Sequence, residues 1–181
     1  PYRTGEEERE LMQTPASLAL ARKAAAQSAV LLKNEDNTLP LKRGKTYFVT
    51  GPLADTREDN LGMWCTCGDA GDVVTPLEAL KAQPGIEITF AHGCDYEGYD
   101  TAGFAEAIEK AKNADEILFF GGETRDWTGE NHNKTHITIP DVQLMLLREL
   151  KKLGKKIIFV LMTGRPLAAL EMDQLSDAVL C

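Results

Sequence analysis

The chain has 181 residues, 43% hydrophobic and 27% charged, with 20 basic against 28 acidic residues and a formal net charge of -8. Such a length and apolar content supply one sizeable core and exclude an intrinsically disordered chain. The acidic balance argues against a dedicated nucleic-acid or anionic-membrane surface, and no uncharged apolar run approaches the roughly 18 residues of a membrane span.

Glu6, Glu7, Glu8 and Glu10 mark residues 1–14 as a solvated lead-in. Thr14-Pro15 reads as an N-cap followed by proline at the first helical position, opening an Ala-rich helix over 16–27. Residues 29–33 form a short apolar strand, and 34–37 carry turn chemistry. Four buried-strand runs come next: Thr46–Thr50 before Gly51, 86–90 before His92-Gly93, 116–120 before Gly121-Gly122, and Lys156–Met162 before Gly164. Helices lie between them. Thr101 is the expected cap of one whose Phe104, Ile108 and Ala111 share a face. Another opens at Pro140, with Val142, Met145, Leu146 and Leu150 on its apolar stripe, and stops at Lys151, Lys152 and Gly154. Shorter helices are expected over 76–81 and 165–172. The chain starts at Pro1 and ends at Cys181 within the apolar run 177–181. It therefore reads as a piece of a longer protein, whose last strand would lack a neighbour and expose an edge.

Strand–helix alternation implies an α/β fold, a mostly parallel sheet sandwiched between helices. Ligands of such sheets sit beyond the carboxyl ends of the strands. That directs attention to the loops beginning at Gly51, His92, Gly121 and Thr163. Two of them are long, 51–75 and 121–139, and long loops in compact domains are usually functional or disordered. The first holds Asp55, Arg57, Asp59, Trp64 and Asp69. The second holds Glu123, Arg125, Asp126, Trp127, Glu130, His132, Lys134 and His136. A carboxylate near aromatic surface can hold its proton and act as a general acid, and a tryptophan face suits a sugar ring. The bland alternative is a solvated loop without chemistry.

Other chemistries have weaker signals. His132 and His136 stand four apart beside Glu130, but aligning their rings on a metal needs a helix that Gly129, Asn131 and Asn133 oppose. Cys65 and Cys67 form a C-x-C without the second pair of a zinc site, and Cys94 and Cys181 stand apart. Gly121-Gly122 after a strand is faintly nucleotide-like, yet neither G-x-G-x-x-G nor G-x-x-x-x-G-K-[ST] is present.

The stretches AAQSAVLLKNEDNTLPL (25–41), VTGPLADTREDNLGMW (49–64), the segment 119–140 and the segment 143–167 resemble, in order, motifs of the second domain of family 3 glycoside hydrolases, the β-glucosidases and β-xylosidases. Pro1-Tyr2-Arg3 resembles the segment leading out of that family's first domain. The resemblance implies that 1–14 leads in from a barrel domain carrying a nucleophilic Asp, and that 15–181 is an incomplete α/β sandwich domain. It implies a retaining, two-carboxylate hydrolysis of terminal β-linked sugars, β-glucosidase-like, with an oligosaccharide or β-glucoside as substrate. No metal or organic cofactor is implied, and the compartment is periplasmic or extracellular. By the same resemblance Glu130, ten residues before Pro140, is the general acid/base, with Glu123 as rival. Trp64 and Trp127 bind the substrate and supply apolar walls. Lys134 stands where the family usually has Arg. The alternative is a non-catalytic carbohydrate-binding or structural α/β domain.

Overall fold

The computed structural model describes Gly5 and residues 11–181; the acidic run at 6–8 and 10 and the segment 1–3 lie outside the described residues. Two compact units divide between Val30 and Leu31. In the first, helix α1 (Pro15–Ser28) starts where Thr14 accepts a hydrogen bond from the Ser17 N–H at 3.2 Å, with Pro15 at the first turn. None of its residues is buried.

The second unit holds a six-stranded sheet of β1 (Leu31–Asn34), β2 (Thr46–Thr50), β3 (Glu87–Phe90), β4 (Glu116–Gly122), β5 (Lys156–Met162) and β6 (Ala178–Leu180), in the order β1-β6-β5-β4-β2-β3. All pairs are parallel except β1 with β6. The last strand is therefore not an exposed edge, as the sequence led one to expect. It is internal, pairing with β5 on one side and with β1, folded back antiparallel, on the other. The edges are β1 and β3.

Between the strands run α2 (Arg57–Leu61), α3 (Pro76–Lys81), α4 (Phe104–Lys112), α5 (Asp141–Lys151) and α6 (Leu170–Leu175). The two-residue period of a strand sends alternate side chains to opposite faces. Phe48, Ile117, Phe119, Ile157, Phe159 and Val179 enter the core beneath α4, α5 and α6. Tyr47, Val49, Leu118, Phe120, Ile158 and Ala178 enter the core on the other face, beneath α3. Phe119 and Phe159 are register partners and stack at 5.0 Å. Both faces being covered, the central strands are apolar throughout rather than alternating.

Local signals set most helix ends. Thr75 and Glu78 form a reciprocal capping box at α3, and Gly154 takes the left-handed conformation after α5. Two expectations fail. Thr101 does not cap α4: the helix begins at Phe104, and Asp100 instead accepts from the Ala102 N–H at 2.8 Å. The stretch 165–169 is not helical. Ala168 donates to the Ile137 carbonyl at 2.6 Å and bridges to Thr138, which draws the chain out until α6 starts at Leu170.

The amino-terminal edge of the sheet is occupied by structural charge. Buried Glu116 pairs with Lys45. Asp177 accepts from the Ile157 N–H at 2.9 Å and pairs with Lys151 at 3.0 Å. Leu146 is fully buried in the larger core. Leu146→Ala is expected to cost about 3 kcal/mol in urea unfolding, whereas Val74→Ala, 68% exposed, should stay within about 0.5 kcal/mol.

Candidate functional site at the carboxyl edge

The parallel strands β2, β3, β4 and β5 bring the loops 51–75, 91–103, 123–140 and 163–169 to one edge. The end of β4 is held tightly there. The fully buried Gln143 accepts from the Gly122 N–H at 2.8 Å and donates to the Gly122 and Tyr96 carbonyls, both at 2.9 Å. Gly122 has φ 134°, and a Cβ on it would strike the Met162 carbonyl. A Cβ on Gly121 would lie 2.6 Å from the Phe159 ring. These glycines serve close packing between β4 and β5. Beyond them the chain enters a 3₁₀ turn (Arg125–Trp127), which offers no long helix to a phosphate.

Asp59, on α2, joins three loops. Its Oδ1 accepts from the Thr124 hydroxyl at 2.6 Å and the Arg125 N–H at 2.9 Å. Its Oδ2 accepts from the Thr56 hydroxyl at 2.9 Å and from the Tyr96 phenol. Burial pushes its carboxyl up, but the bonds from Thr124, Tyr96, the Arg125 N–H and Thr56 outweigh it and hold the carboxyl below its usual value. Burial and the same carboxylate raise the Tyr96 phenol. Tyr96 meets Trp127 edge to face at 6.3 Å.

The expected site residues fall into distinct surroundings. Glu123 has a side chain with 0% exposure. Its Oε2 accepts from the Thr163 hydroxyl at 2.6 Å and lies 3.3 Å from Arg165 Nε, while Oε1 lies 3.3 Å from Lys134 Nζ. Lys134 Nζ also stands 3.7 Å from the centroid of the Trp127 ring, and Arg165 donates to the Trp127 carbonyl. Glu130 is exposed at the tip of the second loop, between Gly129 and the left-handed Asn131, with no hydrogen-bond or ion-pair partner among the described residues. A cavity of about 470 Å³ is lined by Trp64 and Glu123 together, with Asp59, Met63, Gly129, Thr163 and others. Gly129 packs closely on Met63, so the tip of the second loop rests on the first. Trp64 is 72% exposed. Trp127 lines other cavities, one of about 620 Å³ with Tyr99, Lys134 and His136 and one of about 560 Å³ that shares Asp59, Thr124 and Arg125 with the Trp64 cavity. The two tryptophans therefore do not wall the same cavity.

His132 and His136 are exposed on a segment that is not helical. Among the described residues no cluster of three His, Cys, Asp or Glu side chains could hold a metal ion. The described cysteines are free thiols, and burial pushes Cys94 up to about 12. No helix among the described residues is long and apolar enough to cross a membrane. Sequence reasoning missed the roles of Asp59, Gln143 and Arg165. The clue available for Asp59 was its place as an acidic residue in the first turn after Thr56.

The family model for the glycosyl hydrolase family 3 C-terminal domain matches residues 29–181. A periplasmic beta-glucosidase of Salmonella typhimurium is 37% identical over 88% of this chain and 24% of its own length. A beta-xylosidase of Formosa agariphila is 34% identical over 80% of this chain and 21% of its own. A mutant beta-glucosidase from Listeria innocua, solved in complex with laminaribiose, superposes with a TM-score of 0.90 at 27% identity, over 99% of this chain and 24% of that one. The chain thus spans about a quarter or less of the length of these relatives.

The depressed Asp59 carboxyl makes its contribution pH-dependent. With a folded value below the unfolded one, the stabilisation is complete above the unfolded value of about 3.9 and is lost as pH falls through the folded value. Asp59→Asn is expected to cost about 1–2 kcal/mol at pH 7, partial solvent access keeping it low. The gap to the unsubstituted chain should narrow below about pH 4, measured by urea unfolding across pH.

Proposed function

As the chain belongs to the glycosyl hydrolase family 3 C-terminal domain family, we propose that it is the second domain of a β-glycosidase, β-glucosidase-like, and that Glu130 is its general acid/base. The observation that carries the choice of Glu130 is the contrast between the two carboxylates. Glu123 is enclosed by Lys134, Arg165 and Thr163, whereas Glu130 stands exposed at a loop tip without a partner among the described residues. A proton donor must reach the leaving oxygen and later activate water, and Glu130 is presented for that work.

In the retaining reaction, a nucleophilic carboxylate about 5–5.5 Å from the acid attacks the anomeric carbon. We assign that nucleophile to an Asp of a preceding barrel domain. Glu130 protonates the departing glycosidic oxygen, and as the conjugate base it then takes a proton from the water that releases the sugar. Closure of the barrel over the carboxyl edge would surround Glu130 with the less polar walls that keep a carboxyl protonated near neutral pH. Exposed Trp64, beside the 470 Å³ cavity, is the stacking surface for the sugar beyond the cleaved bond. Trp127, covered by Lys134, supports the loop. The periplasmic name of the Salmonella relative supports an exported parent protein.

The 181-residue chain alone is expected to show no turnover of an aryl β-glucoside, since half of the carboxylate pair is supplied elsewhere. In the full-length enzyme, Glu130→Gln should lower kcat/KM for alkyl glucosides by about 10²–10⁴ and that for dinitrophenyl glucosides far less. Azide should restore turnover to Glu130→Ala. The same pattern in Glu123→Gln and not in Glu130→Gln would reverse the assignment.

A further inference from the structure

The second loop leaves the sheet at Glu123 and carries Glu130 past a 3₁₀ turn (Arg125–Trp127) with no helix or strand of its own. It is nevertheless fastened at its start, middle and end. Lys134, four residues after Glu130, returns to Glu123 Oε1 at 3.3 Å and so closes the segment 124–133 into a ring. Arg165, from the loop after β5, reaches Glu123 Oε2 at 3.3 Å and also donates to the Trp127 carbonyl in the middle of the segment. Thr163 donates to the same Oε2 at 2.6 Å. The Lys134 ammonium, 3.7 Å from the Trp127 ring centroid, presses the middle of the loop against its end. A carboxylate with no solvent exposure is costly to bury alone, and it is tolerated here because cations face both of its oxygens.

We infer that Glu123, Lys134 and Arg165 form a positioning clamp that sets where Glu130 stands relative to the bond it protonates. Glu123 is thus a positioning residue that acts through Glu130. The inference rests on the assignment of Glu130 proposed above. Its physical content is a distance requirement. Proton donation needs heavy atoms within about 2.6–3.2 Å, so a loop that swings by an ångström loses the donor while the substrate still binds. The loss falls on the proton-dependent step. In kcat/KM, which reports the first step, glycosides with poor leaving groups suffer, and those whose aglycone departs without protonation do not.

The test uses the full-length enzyme with Lys134→Met, which removes a cation and touches neither carboxylate, and with Lys134→Arg, which keeps the charge. Rates are measured on aryl glucosides of graded leaving-group acidity and on an alkyl glucoside. Lys134→Met is expected to lower kcat/KM on the alkyl glucoside by up to about a hundredfold, with kcat/KM on the dinitrophenyl glucoside close to that of the unsubstituted enzyme. Lys134→Arg should restore the leaving-group dependence. If Lys134→Met fails to fold, Thr163→Val removes the hydroxyl that donates to Glu123 and accepts from the Arg165 N–H at 3.2 Å but no charge, and should give the same selective loss in smaller measure. A lowered melting temperature with unchanged leaving-group dependence, or an equal loss of kcat/KM on every glucoside, overturns the clamp. Glu130→Ala with azide, run alongside, reports on the other reading. Without azide rescue the acid/base assignment falls, and with rescue but a flat Lys134→Met response the clamp alone falls.

Discussion

Burial of both faces of a parallel sheet governs the rest of this molecule. Once α4, α5 and α6 cover one face and α3 the other, the charged groups beside the central strands collect at the two ends of those strands. The amino end is filled by Glu116 with Lys45 and by Asp177 with Lys151 and the Ile157 N–H. The carboxyl end is left with the long loops. That edge has a firm floor, because Gly121 and Gly122 let β4 pack closely on β5 and Gln143 holds the end of β4 to Tyr96.

Three carboxylates at that edge have different fates, and environment rather than residue type decides among them. Asp59 is surrounded by donors from three loops and is held ionised, which makes it a fastener. Glu123 is enclosed between two cations and a hydroxyl, which ties the start of the second loop to its end and to the loop after β5. Glu130 faces solvent and has no partner among the described residues.

Much of the architecture was legible from local patterns. The apolar runs at 46–50, 116–120 and 156–162 had the length expected of buried strands, and the Pro140 to Gly154 stretch carried both a start and a stop signal. Thr101 failed as a cap because the helix starts at Phe104, with Gly103 at its N-cap, two residues beyond Thr101. The region 165–169 was misread because its bridge to Thr138 comes from a segment far away in sequence. The order of strands was hidden for the same reason. β1 belongs beside β6 although almost the whole chain separates them.

The site divides along the same line. By itself, the sequence determined the fold class, the two long loops, the pair of candidate carboxylates and the family, since these rest on residue types and short spacings. Only the tertiary structure decided that Glu123 is enclosed and Glu130 exposed, that Trp64 and Trp127 face different cavities, and that Asp59, Lys134 and Arg165 fasten the loops. Those distinctions depend on which charges the folded chain brings within about 4 Å of one another and shields from water, and no local spacing encodes that.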